Sequence, residues 1–137
     1  MYSMLEMNVN WLAVLVTAIG YMAIGALWYG PLFQKLWMQL TGVTEESVKA
    51  GAAKAYAMMF VVALVSVFVL AMFVLTLDAA AFIDGLIIGF FVWVGFQATV
   101  MLNPVIFEKR PFRLFLINAG YNLVTLLAAG GVLAIWQ

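Results

Sequence analysis

Four apolar runs, over residues 11–29, 55–77, 82–103 and 112–136, constrain this chain more than any other feature. At about 1.5 Å of rise per residue, roughly 20 helical residues cross the hydrocarbon core of a bilayer, and each run approaches or exceeds that length. The runs use most of the 137 residues, which leaves no room for a soluble catalytic module. The expected architecture is therefore all-α and polytopic: a single domain over residues 1–137 with four transmembrane helices.

Composition agrees. With 68% hydrophobic residues and a mean hydropathy of +1.15, the chain has too little polar surface to cover a water-soluble globule. The first run is expected to be a retained helix, not a secretory signal, because its leader carries Glu6 and no Lys or Arg. Cysteine and histidine are both absent, which excludes a disulfide framework and a thiolate metal site. No metal and no cofactor are expected. A formal net charge of zero, without a basic tail, gives no reason to expect nucleic acid as a partner.

The distribution of charge is more informative than its sum. Lys35, Lys49 and Lys54 fall between the first and second runs, and Lys109, Arg110 and Arg113 between or just beyond the third and fourth. With an even number of spans these two connections share one face, so all six basic residues lie on it. The positive-inside bias then puts both loops in the cytoplasm and both termini outside, in a cell inner (plasma) membrane. Glu6, Asp78 and Asp84 belong on or near the outer side. Lys35, Lys109, Arg110 and Arg113 are expected to act as topology anchors and contacts for anionic lipid.

The first basic connection is longer than a turn requires. Pro31 can open a helix, and LFQKLWMQL over residues 32–40 places Leu32, Phe33, Leu36, Trp37 and Leu40 on one face, ending at Gly42. This predicts a short amphipathic helix in the headgroup region. Thr44 followed by Glu45 and Glu46 marks a new helix start, expected to run through Lys49 and Lys54 into the second span. A weak echo links Tyr29-Gly30-Pro31 with Lys35 to Asn103-Pro104 with Lys109, which would fit a parallel duplication.

Polar residues inside the spans are the candidate site. The last run carries Asn118, Tyr121, Asn122 and Thr125 at i, i+3, i+4 and i+7, one face of a helix. The third supplies Gln97, Thr99 and Asn103, and the first supplies Thr17, Tyr21 and Trp28. Gln97 and Asn118 each lie about 9 Å in from the basic end by helix rise, so the two amides are expected to meet beside Tyr21. Such a layer serves either as interhelical glue or as the lining of a small wet cavity. Gly85 and Gly89 form a GxxxG pair for close helix packing, Gly95 and Thr99 a second small pair, and the glycines and alanines over residues 128–131 thin the last helix. Self-association through these small-residue faces is expected. The nine Met residues read as packing filler.

Catalytic chemistry is hard to assemble from this sequence. Ser66 lies mid-span with no histidine to activate it, and Asp78 and Asp84 sit near the membrane edge. The expectation is a non-enzymatic membrane protein that binds or passes a small polar solute or ion along the layer of Tyr21, Gln97, Asn118 and Asn122. The alternative is an accessory or assembly subunit packed against a larger membrane complex. Membrane lipids and either a homo-oligomer or such a complex are the partners these readings imply.

Residues 10–46 and 107–136 resemble the bacterial membrane family catalogued as domain of unknown function 1761. The matching features are Asn10-Trp11, Gly25-Ala26-Leu27-Trp28-Tyr29 with Pro31, then Lys35 and Trp37, and finally Asn118-Ala119-Gly120-Tyr121. The resemblance implies a four-helix integral membrane protein and carries no catalytic residue with it. Histidine is expected to follow the tyrosine of that last helix in the family. Here the position is Asn122, so a role that needs a titratable imidazole does not transfer.

Overall fold

The structure is a computed structural model that describes residues 8–137. Glu6 lies outside them. The described residues form helices and connecting turns without strands. Four helical segments are long and apolar enough to cross a membrane: Trp11–Leu32, Ala52–Thr76, Phe82–Phe107 and Phe112–Ile135.

The first span begins where Asn10 accepts a hydrogen bond from the Ala13 amide at 3.1 Å, which satisfies one of the free donors at a helix start. Helix α1 (Trp11–Leu27) then widens into a π turn over Trp28–Leu32. Gly30 leaves helical geometry there (φ −102°, ψ −106°), and Pro31 lacks the amide that would continue the ladder. Pro31 thus sits inside the elbow instead of opening the next helix. Helix α2 (Gln34–Thr41) follows and stops at Gly42, whose φ of 76° suits a residue without a Cβ. Leu36, Trp37 and Leu40 are half-buried while Gln34, Lys35 and Gln39 are exposed, so the helix is amphipathic as its sequence implies.

Thr44 caps α3 (Glu45–Ala50) by accepting from the Ser47 amide at 3.2 Å. The expected continuous helix into the second span does not form: Gly51 breaks it (φ −107°, ψ 12°), and α4 (Ala52–Thr76) starts afresh. Glycine is a poor helix former because it surrenders the most backbone freedom on ordering. A short outer turn, with Asp78 at φ 55° and the Ala79 amide returning to the Val74 carbonyl, leads to α5 (Phe82–Val92). The third span widens to a second π turn over Trp93–Ala98, continues as α6 (Thr99–Met101) and α7 (Asn103–Phe107), and ends in a tight turn with Lys109 at φ 55°. Helix α8 (Phe112–Ile135) closes the bundle.

Helix α8 is the hub. Half of its apolar window is buried, against 28% for the first and second spans and 17% for the third. Its closest neighbour is α5, and glycines make that approach possible. A Cβ on Gly85 would land on the Gly130 carbonyl and one on Gly89 on the Leu126 carbonyl, while a Cβ on Gly131 would meet the Phe82 ring. The GxxxG pair is therefore consumed within the chain. Close helix packing is the role the fold gives Gly85 and Gly89, whose surface is covered by α8.

Both ends of the described chain lie together. Val9, Asn10, Leu75, Trp136 and Gln137 line one small cavity, and the Gln137 side chain donates to the Ala79 carbonyl. At the other end Trp28 reaches Ile117 near the start of α8. Lys35, Lys49, Lys54, Lys109, Arg110 and Arg113 all belong to segments at this second end.

Candidate functional site: an aromatic and amide chamber at the elbow

The elbow of the first span and the first turns of α8 are locked together by a set of directed contacts. Trp28 donates its indole N–H to the Ile117 carbonyl at 2.9 Å. Tyr29 donates its hydroxyl to Asn118 Oδ1 at 2.6 Å. A Cβ on Gly25 would come within 3.0 Å of the Tyr121 hydroxyl, and one on Gly120 within 3.1 Å of the Trp28 ring. Each glycine thus makes room for an aromatic ring from the opposite helix. From the third span, Trp93 donates to the Ala119 carbonyl at 2.7 Å, so two indoles grip the same turn of α8. Both spans that carry these indoles widen to a π turn there.

Tyrosines continue inward from this lock. Tyr121 packs edge-to-face on Tyr29 and Tyr21, with ring centroids 5.3 and 5.7 Å away, and its hydroxyl lies 3.4 Å from the Tyr21 carbonyl. Tyr29 also packs edge-on against Trp37 of α2. Edge-to-face contact brings the positive rim of one ring to the negative face of the next.

A cavity of about 550 Å³ opens beside this cluster, with Tyr21, Tyr29, Trp37, Tyr121, Asn118 and Asn122 on its polar and aromatic walls. Tyr56 and Met59 of α4 form its outer rim and are 62% and 41% exposed, so the cavity opens sideways between α1 and α4. Met101 and Asn118 also line a second cavity of about 270 Å³ at the basic end, whose mouth includes Glu108 and Arg110. Tyr21 and Asn122 also line a third, of about 250 Å³, deeper in the bundle with Ser66 and Gln97. The three form a series joined by shared walls.

The expected polar layer is partly assembled. Tyr21, Asn118, Tyr121 and Asn122 converge on the chamber. Gln97 lines the deeper cavity with Tyr21 and Asn122 and makes no hydrogen bond to Asn118 among the described residues, where Asn118 is taken by Tyr29 instead. Asn122 donates to the Asn118 carbonyl at 2.9 Å and reaches the Met101 sulfur at 3.6 Å. Thr125 is buried and bonds back to the Tyr121 and Asn122 carbonyls, each at 3.0 Å. Thr17 shares a separate cavity with Thr125, and its buried hydroxyl has no partner.

Thr99 and Asn103 fall outside the layer. Both are exposed, and Thr99 bonds to the Gly95 carbonyl of its own helix. They share the third span with Gln97, but residues two and six positions on lie about 200° and 240° around an α-helix from it. Lys35, Lys109, Arg110 and Arg113 are all exposed, as membrane-face anchors would be. Residues that the sequence reading did not place in the site are Tyr29, Trp37, Tyr56 and Met101. The first two were visible only as part of the motif around Pro31.

No curated protein and no solved structure matches the chain at the threshold applied. A family model described as "Protein of unknown function (DUF1761)" does match, over residues 12–134. The matched range takes in Trp28-Tyr29 and Asn118-Ala119-Gly120-Tyr121, the two sides of the lock just described. A match over nearly the whole length places this chain, with its four helices long and apolar enough to cross a membrane, in the DUF1761 family.

Proposed function

We propose that this is a non-enzymatic integral membrane protein that binds or passes a small polar or amphipathic solute in the chamber beside Tyr21, Asn118, Tyr121 and Asn122. The observation that carries the reading is the series of three cavities with shared walls, running from the basic end to Gln97. Asn118, Asn122 and Gln97 all border open volume, Asn118 and Asn122 doing so while also hydrogen-bonded within the bundle, which a role as glue alone does not require. We place the basic end in the cytoplasm of a cell inner membrane, following the six basic residues. Because the chain has no native cysteine, single thiols report without background. Gln97→Cys and Asn122→Cys should react with water-soluble thiol reagents in the membrane. Complete protection of both would sink the reading.

A second reading, as an accessory subunit or a homo-oligomer, draws on the third span. Gly95, Thr99 and Asn103 fall at i, i+4 and i+8 on one exposed face, and no atom lies within 4 Å of a Cβ built on Gly95. An amide on such a face favours a protein neighbour over lipid. Mild-detergent purification should then yield a stable partner or a defined oligomer. A strictly monomeric chain would remove this reading.

A further inference from the structure

The walls of the chamber carry a chemical signature beyond being polar. Four tyrosines and one tryptophan border the same volume: Tyr21, Tyr29, Tyr56, Tyr121 and Trp37. No Lys, Arg, Asp or Glu lines it. The remaining polar atoms belong to the neutral amides of Asn118 and Asn122, and three methionines, Met22, Met59 and Met101, fill out the apolar wall. We infer that the chamber's ligand is a hydrophobic organic cation, of the quaternary ammonium or phosphonium class. This rests on the reading of the chamber as a ligand site.

The argument is electrostatic. Aromatic rings present negative faces, and several around one volume attract a cation that has shed its water. A quaternary centre needs no hydrogen bond, so the lack of a carboxylate costs it little. An organic anion would find, on these aromatic walls, no basic side chain to pair with. Basic residues are abundant at this end of the bundle, yet of them only Arg110 borders any of the three connected cavities, and it lines the outer one together with Glu108. Flexible methionine side chains adapt to ligands of differing shape. The lateral opening past Tyr56 and Met59 lies near the start of α4, so a cation held at the headgroup level could slide in from the bilayer.

The test places a reporter thiol on the wall with Ala26→Cys and follows its modification by a neutral maleimide in proteoliposomes. Tetraphenylphosphonium should protect it saturably, and tetraphenylborate, equal in shape and opposite in charge, should not. Adding Tyr56→Leu at the rim should raise the concentration for half protection by about 3-fold or more, while Tyr56→Phe, which keeps the ring, should leave it unchanged. If the thiol reacts but the phosphonium does not protect, or the borate protects equally, the cation assignment is overturned while the chamber stands. Inert thiols at positions 97 and 122 would remove the chamber and this assignment together.

Discussion

Tyr29 donates to Asn118 across 89 positions of sequence, and together with the Trp28 bond to Ile117 it joins the elbow of the first span to α8. Interhelical hydrogen bonds in membrane bundles contribute about 0.6 kcal/mol on average and up to about 1.7. A double-mutant cycle with Tyr29→Phe and Asn118→Leu, read by unfolding in detergent, should give a coupling within that range. Additive losses would mean that the bond contributes nothing. Trp28→Phe makes a second test, since it removes the indole donor and, with it, the benzo edge that lies against Gly120. The Ile117 carbonyl keeps a partner in its own helix, so the loss should be modest, about 0.5–1.5 kcal/mol. Gly120→Val should cost more than Trp28→Phe, because its larger side chain meets the indole ring. The sequence made the stripe of Asn118, Tyr121, Asn122 and Thr125 legible through its helical spacing. It did not reveal Tyr29 as the partner, because spacing within one span fixes a face and not which residue of another span that face meets.

At the scale of the elements, the spans were legible and their irregularities were not. Bilayer thickness sets a length that any apolar run either meets or fails, whereas a π turn inserts one residue without changing composition. The same limit explains Gly51: in sequence it is one small residue in a helical stretch, and in the fold it separates α3 from α4. The α5 and α8 contact is the clearest case in which the residues were legible and the neighbour was not. GxxxG specifies a close approach, and it is silent on whether the approaching helix belongs to the same chain. Substitution separates the faces. Gly85→Ala drives a methyl into the Gly130 backbone, which cannot rotate away, and should destabilise the bundle by about 1–3 kcal/mol or more. Gly95→Ala enters open space and should be neutral or stabilise the monomer by up to about 1 kcal/mol from helix propensity alone. If Gly95 instead meets a second subunit, the same change should shift the oligomer equilibrium in crosslinking without affecting unfolding of the monomer.

For the whole molecule, the arrangement of ends and the arrangement of charge make one argument. The turn around Ala79 and the C-terminal Gln137 are hydrogen-bonded at one end, and every described basic residue belongs to segments at the other. A bundle with such an asymmetry has one favoured orientation, because cytoplasmic retention of Lys and Arg sets the direction of insertion. Ala80 in the short turn and Ser47 in α3 are both exposed and tolerate a reporter. Ala80→Cys should label with a membrane-impermeant reagent added to intact cells, and Ser47→Cys only after the membrane is opened. The asymmetry should also be reversible: neutralising Lys109, Arg110 and Arg113 while placing lysines at positions 80 and 81 reduces the bias to three basic residues against two. A measurable fraction of chains should then expose Ser47→Cys outside. That fraction matters for the site as well. The outer cavity at Glu108 and Arg110 opens at the basic end, so orientation decides from which compartment a water-soluble ligand reaches the chamber. If Ser47→Cys in the unaltered chain labels from outside, the same three cavities describe a site filled from the exterior.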